Sequence, residues 1–445
     1  MTKSTKNLGS ISIDLEVLSL FAFRLSSIFV IFCCGFIVRE MEIFPYQFFT
    51  AAKAGFNQVR DSLTGRLPWY YTRLETPFPQ VESSANQPYP GLNLVTKLAA
   101  DHNLSAEIID LDGNSLHSWD VNWFEMWPDP QHLPEESIPR KKPGTHIHGA
   151  VVMENGDLIF NFENLGLIRI NPDGEVVWRL DYITHHSIHR HNDGNLWVSG
   201  RQYHTEKISR LPHLEPPFFE ETILEVTPDG EILREWYVAE ILRENGYDGL
   251  LYLGTLDNTS TYVTENTDIF HLNDVEPFPL TMEEDFFQQG DVMVSLRNIN
   301  AVFVFNSENN EIKFMSSGQF VRQHDPDFID GNTISVFDNN NNSALTPEEL
   351  QSRILIISAR ENSSEVFFEG TPENPFFTHI MGKHQWQANG NLLITDSVSG
   401  RGFEVDQQGN IVWQYVNYVD DGVVGIVEEV QRLPLEYNQL YLEQE

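Results

Sequence analysis

The chain has 445 residues, 41% hydrophobic and 12% aromatic, which suits one large β architecture or two domains and not a disordered polymer. A formal net charge of −37 excludes nucleic acid as a partner and disfavours an anionic membrane surface, because nothing would neutralise phosphates. Cys33 and Cys34 are the only cysteines and are adjacent, so the folded body has no disulfide, no cysteine-based zinc site and no cysteine nucleophile.

Residues 1–16 read as a cytoplasmic tail. The apolar run "VLSLFAFRLSSIFVIFCCGFIV" (17–38) has the length of a transmembrane helix, interrupted by Arg24, and no small-residue cleavage pattern follows it. It is expected to be an uncleaved signal anchor that leaves the rest of the chain extracytoplasmic, on the periplasmic side in a bacterium. Residues 39–88 read as a connector: a short amphipathic stretch, then "ETPFPQVESSANQPYPG".

From Tyr89 to Glu445 one phrase recurs: "DLDGNSLHSW", "MENGDLIFNF", "NPDGEVVWRL", "HNDGNLWVSG", "TPDGEILREW", "DQQGNIVWQY", with "FIDGNTISVF" and "QANGNLLITD" beside them. An Asn/Asp-Gly pair before alternating apolar residues is a strong hairpin signal. Hairpins recurring every few tens of residues, with few helical patterns, predict an all-β chain built as a six-bladed β-propeller, a form that removes unpaired strand edges. A large assembly of β-sandwiches is the structural alternative.

Inner strands of a propeller point their side chains at a central channel. Candidates for that place are His185, His186 and His189 in "THHSIHRH" (Thr184–His191), His271 in "DIFHLNDVEPF", Arg297 inside the apolar strand "GDVMVSLRNINAVFVF", and His324 in "FVRQHDPDF". An arginine in an apolar strand is expensive unless paired or bound to an anion. His146, His148 and His384 can join the channel or hydrogen-bond at blade corners, and Trp197, Phe270 and Trp386 can line an aryl site or simply pack.

Together, "THHSIHRHNDGNLWV", "FHLNDVEP…DVMVSLRNINAVFVF", "QHDPDFIDGNTISVFDN" and "GKHQWQANGNLLITDSVSGRGFEVDQQGNIVWQY" resemble the bacterial arylsulfate sulfotransferases that use no PAPS, over roughly Thr145 to Val416. The resemblance implies a six-bladed propeller that moves a sulfuryl group from an aryl sulfate donor to a phenolic acceptor through a sulfated histidine, by ping-pong kinetics and with no cofactor. By the same resemblance His324 is the nucleophile, and His271 and Arg297 match the family's His-Asn segment and strand-end arginine. The remaining histidine is His186, or His189 in the alternative register. The chain departs from the pattern in an acidic insertion (Glu283 to Asp285) and in Asp325, where several members carry threonine.

These residue types suit sulfuryl transfer. Three non-bridging oxygens must be held by fixed positive groups, a neutral imidazole is a good nucleophile, and a phenol near pKa 10 needs only modest acid assistance to depart. Two other readings stay open. One is a metal-dependent propeller lyase or hydrolase using His185, His186, His189, His191, His146 and His148, although no acidic residues recur at fixed offsets beside them. The other is a non-catalytic binding platform tethered to a membrane. The sequence leaves room for a homodimer. "DNNNNSALTPEE" (338–349) is spaced like a calcium loop but reads better as a polar loop entering a short helix at Pro347.

Overall fold

Left-handed glycines organise the chain beyond Leu92. Gly113, Gly156, Gly174, Gly194, Gly230, Gly390 and Gly409, all in the recurring phrases, have φ between 80 and 96°, a conformation that costs any residue with a Cβ. Each reverses the chain into an antiparallel partner. The computed structural model describes residues 15–40, 67–74, 77–84, 88–253, 268–342, 344–346 and 349–442. They fall in two compact units, Met1–Pro68 and Trp69–Glu445.

In the first unit Leu15–Glu40 is a helix. Among the described residues no helix is long and apolar enough to cross a membrane, so the expected anchor at 17–38 is not supported. Arg24, Ser26 and Ser27 interrupt the apolar run, Ser27 Oγ donating back to the Phe23 carbonyl at 2.9 Å.

The second unit contains six four-stranded antiparallel blades, one of them extended by a fifth strand. Blade I is Asn93–Leu98, Leu104–Ile109 and Ser115–Val121, with the last long strand, Val427–Arg432, as its innermost member. Blades II to VI follow in sequence order, with inner strands Ile147–Val152, Ile183–Arg190, Leu272–Pro277, His324–Phe328 and Lys383–Trp386. Each inner strand touches the next, and that of blade VI touches Val427–Arg432, so the sheets close into a ring as in a propeller. Separate sandwiches would not give this cyclic order. Part of the stretch expected as a connector is β structure: Val81–Ser83 is the fifth strand of blade VI, and Tyr71–Arg73 pairs with Val423–Gly425. The expected amphipathic stretch after Glu42 lies outside the described residues.

Between blades the core is dense and apolar. Phe278, Phe287, Phe314 and Phe328, for example, interlock across blades IV and V. The acidic segment Glu283–Asp285 lies over the turn of blade V, where Phe287 N donates to the Gly331 carbonyl at 2.7 Å.

The inner strands are irregular where they meet the channel. Register shifts fall at Val427/Glu429, Ile147/Ala150, His185/Ile188, Leu272/Asp274 and His324/Asp327. A bulge inserts a residue and re-aims its side chain. Left-handed backbone accompanies these shifts at Gly149 (φ 78°), His186 (57°), His271 (53°) and Asp325 (47°). Strain of this kind persists where surrounding structure over-determines it, and it clusters at functional sites.

Gly149 meets two constraints at once. A Cβ there would lie 2.4 Å from the His186 carbonyl oxygen and 2.9 Å from Ile188 N. Gly149→Ala is therefore expected to lower the unfolding free energy by roughly 2–4 kcal/mol, read by urea denaturation. A neutral result would mean that the two inner strands are not packed this closely.

Candidate active site

Four neighbouring blades each place one imidazole at the bulged end of the channel: His148, His186, His271 and His324 from blades II to V. Ring centroids lie 4.4 Å apart for His148–His186, 4.8 Å for His186–His271 and 6.3 Å for His186–His324. The bulges bring them together. In a regular strand, alternation would have turned adjacent residues such as His185 and His186 to opposite faces.

Here those two touch. His185 Nδ1 lies 2.8 Å from His186 Nδ1, and His186 Nε2 lies 3.2 Å from His271 Nε2. Carboxylates cap both ends: Glu221 Oε2 is 3.0 Å from His185 Nε2, and Asp268 pairs with His271 Nδ1. Four hydrogen bonds along three imidazoles need four protons, one more than three neutral rings carry, so the fully bonded chain holds one imidazolium. Burial pushes both His186 and His271 below their ordinary range. A proton on either ring is therefore an acidic one, ready to leave.

Behind this chain sits Glu163, which receives His186 N at 2.8 Å and pairs with His148 Nδ1 at 3.2 Å. Burial pushes its carboxyl up, but His148 first, then His146 and His185, outweigh that and hold it well below the usual carboxylate range.

His324 is 3% exposed, enough to reach the channel and little enough to be desolvated. Its Nδ1 lies 2.7 Å from Asn339 Oδ1. The Asn339 amide cannot be turned round, because its Nδ2 donates to the carbonyls of Thr378 and Met381 at 2.9 and 2.7 Å. Asn339 Oδ1 is thus an acceptor, the proton is on His324 Nδ1, and Nε2 carries the lone pair. Burial, then the nearby Arg297 guanidinium, push this imidazole well below the ordinary 6.5, so it is neutral at physiological pH.

Arg297 does not lie inside a strand as expected. The strand ends at Leu296, and Arg297–Ile299 form a one-turn 3-10 helix closed by Asn300 at φ 50°. The residue is therefore at a hairpin tip in blade IV. Among the described residues its side-chain hydrogen bonds go to the neutral Asn298 Oδ1, at 3.3 Å from Nε and Nη2. Among the described residues it makes no ion pair. Burial pushes the guanidinium down to about 10, still cationic at neutral pH.

A cavity of about 310 Å³ opens beside Asp268 and Glu221, walled by Leu211, Phe219, Ile269 and Phe270. Arg201 also lines it, its guanidinium 5.5 Å from the Phe219 ring centroid. Of the aromatic candidates Phe270 is in this wall, whereas Trp197 stacks on Trp236 inside the protein at 5.1 Å.

His189, the alternative to His186, lies elsewhere. It bonds Asp274 Oδ1 at 2.9 Å and lines a second cavity of about 350 Å³ with Glu276, Asp325, Asp327, Lys383 and His384. Burial lowers this imidazole, but Asp274 outweighs it and pushes it up to about 9. Trp386 also belongs to this second cavity.

Sequence reading missed Glu163, Glu221, Asp268 and Asn339 as members of the site, and left His148 open between the channel and a blade corner. The carboxylates follow no fixed sequence offset: Glu163 and Glu221 reach the histidines from other turns and strands, and Asp268 from three residues before His271. His148, Glu163 and His186 offer ligand atoms within 4.8 Å of one another, as do His146, His148 and Glu428. The calcium-like loop has its first carboxylate engaged, Asp338 pairing with Arg353 and accepting from Val321 N and Asn340 N. The helix start expected at Pro347 lies outside the described residues.

The family model described as "Arylsulfotransferase (ASST)" matches residues 148–418. Solved structures similar to the chain include a protein of unknown function from Bacteroides caccae, at 13% identity and TM-score 0.48 over 76% of this chain and 98% of that one. Another is the virginiamycin B lyase of Staphylococcus aureus, at 11% identity and TM-score 0.38 over 79% of this chain and 98% of that one. No curated protein matches.

Proposed function

The chain belongs to the arylsulfotransferase family, and from that premise we propose that it carries a sulfo group from an aryl sulfate to a phenol on His324, without PAPS. The observation that carries the reading is the Asn339 bond, which leaves His324 Nε2 neutral, oriented and unprotonated. In the first half-reaction Nε2 attacks sulfur, the N–S bond forms and the S–O(aryl) bond breaks. The departing phenolate takes a proton from the His186–His271 end of the imidazole chain. In the second, the acceptor phenol returns a proton to that chain as its oxygen attacks sulfur and the N–S bond breaks, restoring neutral His324.

Arg297 is the fixed positive group for the three sulfo oxygens. Among the described residues it is ion-paired with no carboxylate, so its charge is available when the transition state forms. The cavity beside Asp268 suits the aryl group. A cavity of about 150 Å³ accommodates benzene, so one of about 310 Å³ has space for a substituted ring. The direct test is to mix the protein with a chromogenic aryl sulfate and no acceptor. One equivalent of phenol should be released in a burst, with one sulfo group recovered on the peptide containing His324. A burst without label, or a label on another residue, refutes the assignment.

The acid limb of the pH profile follows from the same geometry. The nucleophile must be neutral, and its lowered pKa keeps it so on the acid side of the ordinary 6.5. The burst rate should not fall between about pH 8 and about pH 6, and should fall only as the pH drops through the lowered value. A rate that halves near the ordinary histidine value would show that His324 is not desolvated.

A second reading, metal-dependent chemistry at the hub, is favoured by the closeness of His148, Glu163 and His186. Arg297 beside the cluster opposes a cation there. Loss of the burst on chelation, and its return with metal, would favour this reading over sulfohistidine chemistry.

A further inference from the structure

Building on sulfo transfer as proposed above, we infer that Arg201 selects the aryl ring, and that the rings exchanged here carry a neutral carbonyl-type oxygen that accepts from its guanidinium. Arg201 lies on the second strand of blade III, Leu196–His204, opposite Glu221. Its side chain lines the cavity of about 310 Å³ beside Asp268.

A guanidinium carries five N–H donors in a fixed plane. Among the described residues that of Arg201 makes no hydrogen bond, and its Nε is buried without a partner. The side chain is only 12% exposed, and its ion-pair contact, Nη2 to Glu221 Oε1, is a loose 3.6 Å. The group is still held in place, 5.5 Å from the centroid of the Phe219 ring. A ligand oxygen here would fill donors that no protein group fills.

The carboxylates on the same wall are already engaged. Glu220 accepts from Arg210 Nε and Nη2 at 2.7 and 2.9 Å and lies 2.9 Å from His204 Nε2. Glu221 meets His185, and Asp268 meets His271. The rest of the wall, Leu211, Phe219, Ala239, Ile269 and Phe270, has no side-chain donor. Among the described lining residues Arg201 is thus the side chain with donors to offer. A carboxylate on the ring would meet Glu221 and Asp268 as like charges, whereas a carbonyl oxygen takes the hydrogen bond without that repulsion. A site that donates to a substrate oxygen rejects the analogue lacking it more strongly than an apolar pocket rejects a missing methylene.

Phenols of matched shape test this: 3- or 4-acetylphenol against the corresponding isopropylphenol, which has a methyl group in place of the carbonyl oxygen. Titration calorimetry on the full chain, with no sulfo donor present, should show an acetylphenol binding at least about 10-fold more tightly than its partner. Arg201→Met should remove that preference, and Arg201→Leu serves where methionine does not fold. A hydroxybenzoate should bind less well than the acetylphenol. In turnover, Arg201→Met should lower kcat/KM for the acetylphenyl sulfate about 10-fold more than for the isopropylphenyl sulfate, a ratio in which any effect of the variant on the histidines cancels. Equal affinity for both members of each pair, a preference that survives in a folded Arg201 variant, or tighter binding of the hydroxybenzoate would each overturn the assignment. A preference with no burst from either sulfate would keep this ring site and remove sulfo transfer; a burst with equal affinities would do the reverse.

Discussion

His324→Asn is expected to abolish aryl sulfate turnover, with kcat falling at least about 10⁴-fold and no sulfo group trapped on the protein. The substitution is chosen to keep the fold. The new amide can still donate to Asn339 Oδ1, the bond that His324 Nδ1 makes at 2.7 Å, and no charge is added or removed, because the native ring is already neutral. What disappears is the Nε2 lone pair, for which an amide nitrogen is no substitute. Removing a nucleophile eliminates the covalent route altogether, so the loss should exceed that from any residue that only stabilises charge. His271→Asn should be milder, because His186 remains to exchange protons with the phenol. Two measurements decide: the burst of phenol in a stopped-flow trace, and the mass of the trapped peptide. A His324→Asn protein with a normal burst would remove His324 from the mechanism while leaving the family and the fold untouched.

The blades were legible because their signal is local. An Asn/Asp-Gly pair and the alternating residues after it are contiguous, and the turn conformation they demand is the one found at Gly113, Gly174 and Gly409. Ring closure was not legible, because Val430 opposite Val95 is a pairing between the two ends of the domain, with no trace in either segment alone. The site divides in the same way. His186, His271 and His324 could be singled out because each sits in a recognisable phrase. Their partners could not: Glu163 and Glu221 approach from other turns and strands, while Asp268 and Asn339 lie within the same phrases as His271 and His324 but look like ordinary solvated loop residues until the chain is folded. Arg297 was read into a strand because "VMVSLRNINAVFVF" is apolar on both sides. The left-handed Asn300 breaks that run into a hairpin, and this places the guanidinium at a tip.

That placement sets the second large effect. Arg297→Met should lower kcat/KM for an aryl sulfate by about 10²–10³-fold, or about 3–4 kcal/mol of transition-state stabilisation. Stability should change little, because among the described residues the native side chain makes no ion pair and hydrogen-bonds to Asn298. Methionine keeps the aliphatic bulk and removes both the charge and the fork. Arg297→Lys separates those two contributions. If charge alone matters, lysine should recover most of the rate. If two parallel N–H groups must meet two sulfo oxygens, lysine should stay within about tenfold of methionine, since an ammonium is a point charge. Added guanidinium ion supplies the missing fork from solution and should partly restore turnover to Arg297→Met, but not to His324→Asn. A methionine variant with unaltered kcat/KM would mean that the sulfo oxygens are held by other groups, and Arg322, which reaches Asn298 Oδ1 at 2.7 Å, would be the first to examine.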